Sequence, residues 1–344
     1  MRPDLPDRRP VHVGGGDEPV HRTGTPVRSL GVSDEGTRPP DGTVAVVLTF
    51  RRRRLATQVV RQLVSTEGFR PGDVVLVVNG DGGLDDAELE ASVRVERLAE
   101  NIGPAGGFRH GLLVAAAIPG TRWIYLCEDD IGVLDIPAPR VARLIAEAEA
   151  YERAVPGRPV GGVVPYGRRL DRRSGGTSIY TATSDSGFDE IDAAAWGASL
   201  VPSRVVEAGV LPDETWFFGY EDFDFWFRVK AAGFRVLVDR ASATATACHM
   251  TSAGWDEALS AERPIDAQEP WRAYYVARNF FLLSRRHGTV LWTANHLAYS
   301  ARRMQLARSR ASRVATLQGL WDGLRGRRGR NPRFQRVTGE LPER

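Results

Sequence analysis

The chain has almost no lysine and almost no cysteine. Lys230 is the single lysine among 46 basic residues, so nearly every positive charge is an arginine. Arginine's planar fork suits paired contacts with phosphate and carboxylate, although genomic base composition produces the same bias. Cys127 and Cys248 are the only cysteines, which excludes a disulfide framework and fits a reducing compartment. No apolar run is long enough to span a bilayer, and the opening MRPDLPDRRPVHVGGG holds no apolar stretch of signal-peptide length, so a cytoplasmic protein is expected. Net charge is also scarce. The 46 basic and 43 acidic residues leave only +3 over 344 residues, too little to argue for nucleic acid as a partner.

What is present organises the chain. Residues 1–42 are rich in Pro, Gly, Arg and Asp with little to bury, which predicts a disordered tail. From Thr43 onward, TVAVVLTF, DVVLVV, VRVERL and WIYLC are short β-rich runs. Helical patterns such as Leu55 to Thr66 and Gly111 to Ile118 lie between them. That alternation predicts an α/β fold with a mostly parallel central sheet flanked by helices. Ligands in such folds bind at the carboxyl ends of the strands, which makes the residues after each run the candidates for function.

Arg51–Arg54 follow the first run, either as a solvated charge run at a helix start or with an arginine or two touching phosphate or base. Asn79–Gly83, NGDGG, follow the second, in a turn whose glycines allow close approach to backbone. Asn101–Gly111, NIGPAGGFRHG, lead into an apolar helix, where free N–H groups and Arg109 would favour an anion. The spacing matches neither a P-loop nor a dinucleotide fingerprint. Glu128–Asp130 follow WIYLC. On an extended segment Glu128 and Asp130 share one face, a half-site for a hard divalent cation, while Asp129 points away.

The stretch WFFGYEDFDFWFRVKAAGF sets three carboxylates, Glu221, Asp222 and Asp224, among aromatic rings. A helix is expected to begin near Glu221 and to end at Gly233. Phe223, Trp226 and Phe227 are expected on its core face, with Asp222 and Asp224 aimed outward at its mouth. The segment FRVLVDRASATATACHMTS predicts one more strand and ends in His249, a structural residue or a ligand. Near the C-terminus Val314, Leu317, Leu320, Trp321 and Leu324 recur at helical spacing among arginines. That pattern fits either packing on the main domain or an interfacial helix on an anionic leaflet.

Taken in order, VVLTF with its arginines, VVNGDGG, NIGPAGGFRHG, LCEDDI, WGASLVPSRVV, GYEDFDFWFRVKAAGFRV, CHMTS and WRAYYVARNFF resemble the family 2 glycosyltransferases of GT-A fold. Within them the likeness is to the rhamnosyl- and galactofuranosyltransferase-like branch, over roughly Thr43 to Gly329. The resemblance implies a catalytic domain over 43–290, with a nucleotide-binding half over 43–135 and an acceptor and catalytic half over 136–290. A basic helical extension over 291–330 and a tail over 331–344 would follow. It implies Mn²⁺ or Mg²⁺ on Asp130, with Glu128 and His249, and a general base at Asp222 with Glu221 beside it. Donor contacts fall on Thr49, Phe50, Arg52, Asn79, Asn101, Gly106, Gly107, Arg109 and Asp129. The acceptor and donor-sugar side falls on Trp196, Gly197, Trp216 and Tyr220.

The implied reaction is inverting transfer of a sugar from a UDP- or dTDP-linked donor to a hydroxyl of a glycan, lipid-linked or small-molecule acceptor. The implied place is the cytoplasm, with peripheral contact at the inner face of the plasma membrane. Two departures stand out. Val78 occupies a position where the family usually has the Asp that holds the base, and Glu128 one where it favours Asp. The alternatives are a sugar-phosphate nucleotidyltransferase and a non-catalytic nucleotide-sugar-binding homologue.

Overall fold

The computed structural model describes residues 38–129, 140–252, 270–306 and 309–334, and at 247–252, 303 and 306 the backbone alone. Asp130, the side chain of His249, most of the tail expected over 1–42 and residues 335–344 lie outside the described residues.

Four parallel strands form the first half of the sheet: β1 (Thr43–Thr49), β2 (Val74–Asn79), β3 (Arg94–Leu98) and β4 (Trp123–Glu128). The second half is built from β5 (Val160–Val164), β8 (Phe188–Glu190), β9 (Ser199–Pro202) and β10 (Arg235–Asp239). The eight strands run in the order β3-β2-β1-β4-β9-β5-β10-β8. Only β9 and β8 oppose the common direction, since β9 pairs antiparallel with β4 and β5, and β8 with β10. A small hairpin of β6 (Arg168–Leu170) and β7 (Thr177–Ile179) stands apart. This is the expected α/β class with a mostly parallel central sheet.

The inner strands read as unbroken apolar runs because both faces of the sheet are covered. In β1, Ala45 and Val47 belong to the core under α1 (Arg53–Ser65) and α4 (Val141–Ala154). Val44, Val46 and Leu48 belong to the opposite core, under α3 (Gly103–Ala116) and α6 (Glu221–Ala231). The short helices α2 (Ala87–Ser92) and α5 (Ser203–Glu207) complete the crossovers.

Three expectations change. Helix α3 starts at Gly103, eight residues before the expected Gly111, so the glycine-rich segment is its first two turns rather than a loop before it. The glycines let this helix ride close on the sheet: a Cβ on Gly107 would strike Leu48, and one on Gly111 would strike Val46. Second, Phe225, Trp226 and Val229 form the core face of α6, while Phe223 and Phe227 pack in a separate cluster with Trp216, Leu282 and Leu283. The rows at i, i+3 and i+4 fit both assignments, so periodicity alone could not choose. Third, β10 stops at Asp239, and α7 (Arg240–Ser252) carries the chain on, so His249 sits on a helix. Asp239 caps that turn, accepting from the Ser242 amide at 3.0 Å and from Arg143 at 2.8 Å.

Three helices close the described chain: Pro270–His287, Val290–Leu306 and Arg310–Leu324. The first lies against the residues that precede α6 and carries the other two.

Candidate functional site

The parallel register ends β1, β2, β3 and β4 side by side, at Thr49, Asn79, Leu98 and Glu128. Asp129, one residue beyond β4, turns towards the end of β1. It accepts from the Thr49 hydroxyl at 2.8 Å, the Phe50 amide at 3.4 Å and the Arg52 guanidinium at 3.0 Å. Asp129 is buried, and these charge-assisted bonds compensate its lost hydration. Four of the residues expected to touch a donor therefore meet here, tying two strand ends together. Neighbouring Arg51 adopts a positive φ of 60° and pairs with Asp81 at 2.7 Å.

Asn79 makes a second tie. Its buried carboxamide donates to the Gly103 carbonyl at 3.1 Å and accepts from the Ile102 amide at 2.9 Å. Asn101 accepts from the Gly103 amide at 2.8 Å, closing the turn that starts α3. Gly103 has φ +80°, and a Cβ there would run into the carbonyl of Phe217. Only glycine fits, so the start of α3 abuts the turn that leads into α6.

That turn is strained. Phe217 and Tyr220 both have positive φ, 64° and 65°, which is costly for aromatic residues without a compensating hold. The hold comes from about sixty residues downstream. Buried Asn279 donates one NH₂ group to three carbonyls, Trp216 at 2.9 Å, Phe218 at 2.7 Å and Gly219 at 2.9 Å. Buried Arg278 adds a bond to Trp216 at 2.8 Å and another to the Gly329 carbonyl at 2.6 Å. The segment YYVARN holds a polar pair amid a buried aromatic face, and that is the signal from which sequence reasoning could have found these positioning residues.

The turn delivers Glu221 and Asp222 to the N-terminus of α6, with Tyr220 as its N-cap. Glu221 is buried and its Oε2 has no hydrogen-bond partner. Burial raises its carboxyl well above the usual range, helped by the charges of Asp222 and then Glu128. Glu128, at the end of β4, is thus near enough for its charge to act on Glu221 at the start of α6. Asp222 is half-buried. Desolvation pushes its carboxyl up to about 7, against the lowering pull of the Phe223 amide and Arg168. Trp196 is buried between Phe108 and Phe225, with its indole beside Glu221. Gly197, at φ +37°, lies against the Tyr166 ring.

Asp224 does not aim outward as expected. It is fully buried and bound by Arg228 at 2.8 Å, Arg286 at 3.0 Å and His287 at 2.8 Å, which together hold its carboxyl below the ordinary value. It spaces one turn of α6 from the Pro270–His287 helix, and the outward acid is Asp222 alone.

Other candidates lie apart from this convergence. The contacts of Arg109 are the Pro212 carbonyl at 3.5 Å and Glu214 at 3.9 Å. Gly106 and Gly107 pack on Ile102 and Leu48. Trp216 is buried beneath the strained turn. Among the described residues no group of three His, Cys, Asp or Glu side chains is arranged to hold a metal ion, and two of the three expected ligands have side chains outside those residues. A cavity of about 780 Å³ opens elsewhere, between α4, α7 and the Asp185–Phe188 turn, and none of the expected site residues lines it.

No protein-family model matches the chain, and no curated protein matches it. Among solved structures it is similar to GalNAc-T7 crystallised with UDP, GalNAc and Mn²⁺, at 14% identity and a TM-score of 0.41, over 75% of this chain and 57% of that one. It is also similar to A197 from STIV, at 13% identity and a TM-score of 0.33, over 58% of this chain and 82% of that one. The chain thus spans a little over half the length of the GalNAc-T7 chain.

Proposed function

We propose that the chain is an inverting, divalent-metal-dependent glycosyltransferase of GT-A fold and family 2 type. It would move a sugar from a nucleotide-diphospho-sugar to a hydroxyl of a glycan, lipid-linked or small-molecule acceptor. The observation that carries the reading is Asp222: a carboxyl pushed up to about 7, at the N-terminus of a rigidly held helix, next to Glu221, which feels the charge of Glu128 at the end of β4. A general base works best with a pKa near the working pH, and this one sits where a ligand of such a sheet binds.

In this reading Asp222 takes the acceptor hydroxyl's proton as the acceptor oxygen bonds to the anomeric carbon. The bond from that carbon to the phosphate oxygen breaks on the opposite side, and the nucleoside diphosphate leaves with the electron pair. Burial disfavours ionisation of Glu221 and leaves the outward role to Asp222. Asn79, Asn101 and the Asp129 cluster shape the nucleotide side, while Trp196, Gly197 and Tyr220 shape the sugar side. Glu221, whose Oε2 has no hydrogen-bond partner, feels the charge of Glu128, and a cation held at Glu128 would offset that charge. Asp130, with Glu128 and His249, would hold Mn²⁺ or Mg²⁺, which when bound neutralises charge on the departing diphosphate.

Rhamnosyl or galactofuranosyl transfer, from a dTDP- or UDP-linked donor at the inner face of the plasma membrane in cell-wall or polysaccharide synthesis, is the specific form we favour. It rests on the ordered motifs of the sequence.

Calorimetry with UDP and dTDP, with and without Mn²⁺, together with a transfer assay, tests the reading. Metal-dependent binding is expected in the wild type and in Asp222→Asn, and is lost in Asp130→Ala. Turnover in Asp222→Asn is expected to fall by about a hundredfold or more. Retained turnover in that variant overturns the base assignment. Binding of nucleoside triphosphate and sugar phosphate, indifferent to Asp222→Asn, would establish a nucleotidyltransferase instead.

A further inference from the structure

The two last helices are built inside out. Arg310–Leu324 buries Ser312, Ala315, Thr316, Gly319, Asp322 and Gly323. It exposes Val314, Leu317, Trp321 and Leu324, with Leu317 55% and Trp321 48% accessible. The buried small residues allow backbone-close packing on the Pro270–His287 helix: a Cβ on Gly319 would strike the Tyr274 carbonyl, and one on Gly323 the Arg278 carbonyl. Asp322 is satisfied inside by the Tyr274 hydroxyl at 2.8 Å. The preceding helix, Val290–Leu306, follows the same rule. It buries Trp292, His296 and Ser300 but exposes Val290, Leu291, Leu297 and Tyr299, with Val290 87% accessible. Eight of the eleven large apolar side chains exposed among the described residues lie within 290–324. A soluble helix normally turns its large apolar residues inward, and these two, Trp292 apart, turn most of theirs out.

The charge of the same segment supplies the second observation. Residues 290–330 contain nine arginines and a single acid, the buried Asp322, although the whole chain is nearly balanced. Arg327, Arg328 and Arg330 pair with Asp322, Asp213 and Glu100, and the other six lie within 302–325. Arg310, Arg313 and Arg325 flank the exposed stripe in sequence, and the Arg325 guanidinium lies 4.2 Å from the centre of the Trp321 ring. A second copy of this face would bring like charge against like charge. An anionic surface with an apolar interior complements both features. Trp, Tyr and Arg at the border of an apolar stripe suit the boundary between headgroups and acyl chains. Among the described residues no helix is long and apolar enough to cross a membrane.

We propose that the outward faces of Val290–Leu306 and Arg310–Leu324 dock the protein on a membrane leaflet rich in anionic phospholipid, lying in the interface without crossing it. This docking is independent of the transferase reading, since vesicle binding is measured without any turnover.

The test is co-sedimentation of the full chain with phosphatidylglycerol vesicles and with phosphatidylcholine vesicles, for the wild type and for Leu317→Gln/Trp321→Gln. Both substituted residues are exposed, and an unchanged melting temperature confirms that the double variant is folded. The wild type is expected to bind phosphatidylglycerol at low salt and to bind phosphatidylcholine weakly. Affinity is expected to fall about tenfold or more in the double variant. A similar fall is expected for the wild type in roughly 0.5 M salt. Absence of binding to phosphatidylglycerol overturns the proposal, as does equal binding of the double variant. A wild-type dimer in analytical ultracentrifugation that this variant dissolves would give the face to a second copy, and overturns it too.

Discussion

Asp222 and Asp224 stand two residues apart at the start of one helix, and the protein treats them in opposite ways. Asp224 is surrounded by Arg228, Arg286 and His287, and its carboxyl is held low. Asp222 accepts a bond from its own neighbour's amide, has Arg168 only as a lowering charge, and is pushed up to about 7. A helix N-terminus favours both charges equally, so the dipole does not separate them. The separation comes from what packs behind each acid. Asp224 faces the Pro270–His287 helix, which supplies Arg286 and His287. Asp222 has no such cluster of cations around it: burial raises its carboxyl, and Arg168 is the one charge that pulls it down. The protein fastens the helix with one carboxylate and leaves the next available for chemistry.

The contrast breaks most sharply at Asp224. Asp224→Ala leaves two arginines and a histidine facing an empty buried site, and is expected to cost about 3 kcal/mol of stability by denaturant unfolding. Because the Asp224 carboxyl is held below its usual value, its contribution is present above an unfolded value near 4 and is lost as pH falls through the lower folded value. The variant's deficit should therefore shrink in acid. A deficit that stays constant down to pH 2 would show that the ion cluster is not its source.

Asn279→Ala attacks the support that both acids share. It removes the donor common to three carbonyls and is expected to cost about 2 kcal/mol. Turnover should fall with Asp222 itself untouched. The acidic limb of the pH–rate profile should shift as well, since the burial that sets the Asp222 pKa depends on the turn. A stability loss with an unmoved pH profile would make Asn279 structural only.

The smallest effect has the reverse sign. A carboxyl raised to about 7 keeps its proton in the folded chain at pH values where the unfolded chain has released it, so stability falls as pH rises from about 4 to 7, and the penalty persists above. Asp222→Asn should thus be more stable than the wild type at pH 8, by on the order of 1 kcal/mol, and no different at pH 4. Gain in stability with loss of turnover is the signature of a residue kept for function. Destabilisation at pH 8 would contradict the contrast with Asp224.

The first half of the sheet was legible because parallel strands covered on both faces must read as apolar runs, and the residues that end them follow directly. The acid pair was legible for a similar reason: carboxylates among aromatic rings demand an explanation. What escaped was set by distant partners. Asp224 looked like an outward acid because Arg286 and His287 lie more than sixty residues away. The glycines of α3 looked like a loop because their purpose is contact with Leu48 and Val46, which composition does not record. The C-terminal stripe was seen at helical spacing, but which face it turned outward depended on the small residues behind it.

The three-carbonyl bond of Asn279 also bears on how the protein is made. The strained turn at 216–220 leaves the ribosome about sixty residues before its holder, a delay of several seconds at roughly 5–20 residues per second. Until then the Trp216 carbonyl has only the local Phe218 amide, the carbonyls of Phe218 and Gly219 lack the Asn279 donor, and the turn that aims the following acids is without its hold. The chain can assemble its β1–β4 half early, yet Asp222 is set in place only after Asn279 has emerged. A nascent chain halted before Asn279 would hold a strand edge and no aligned Asp222.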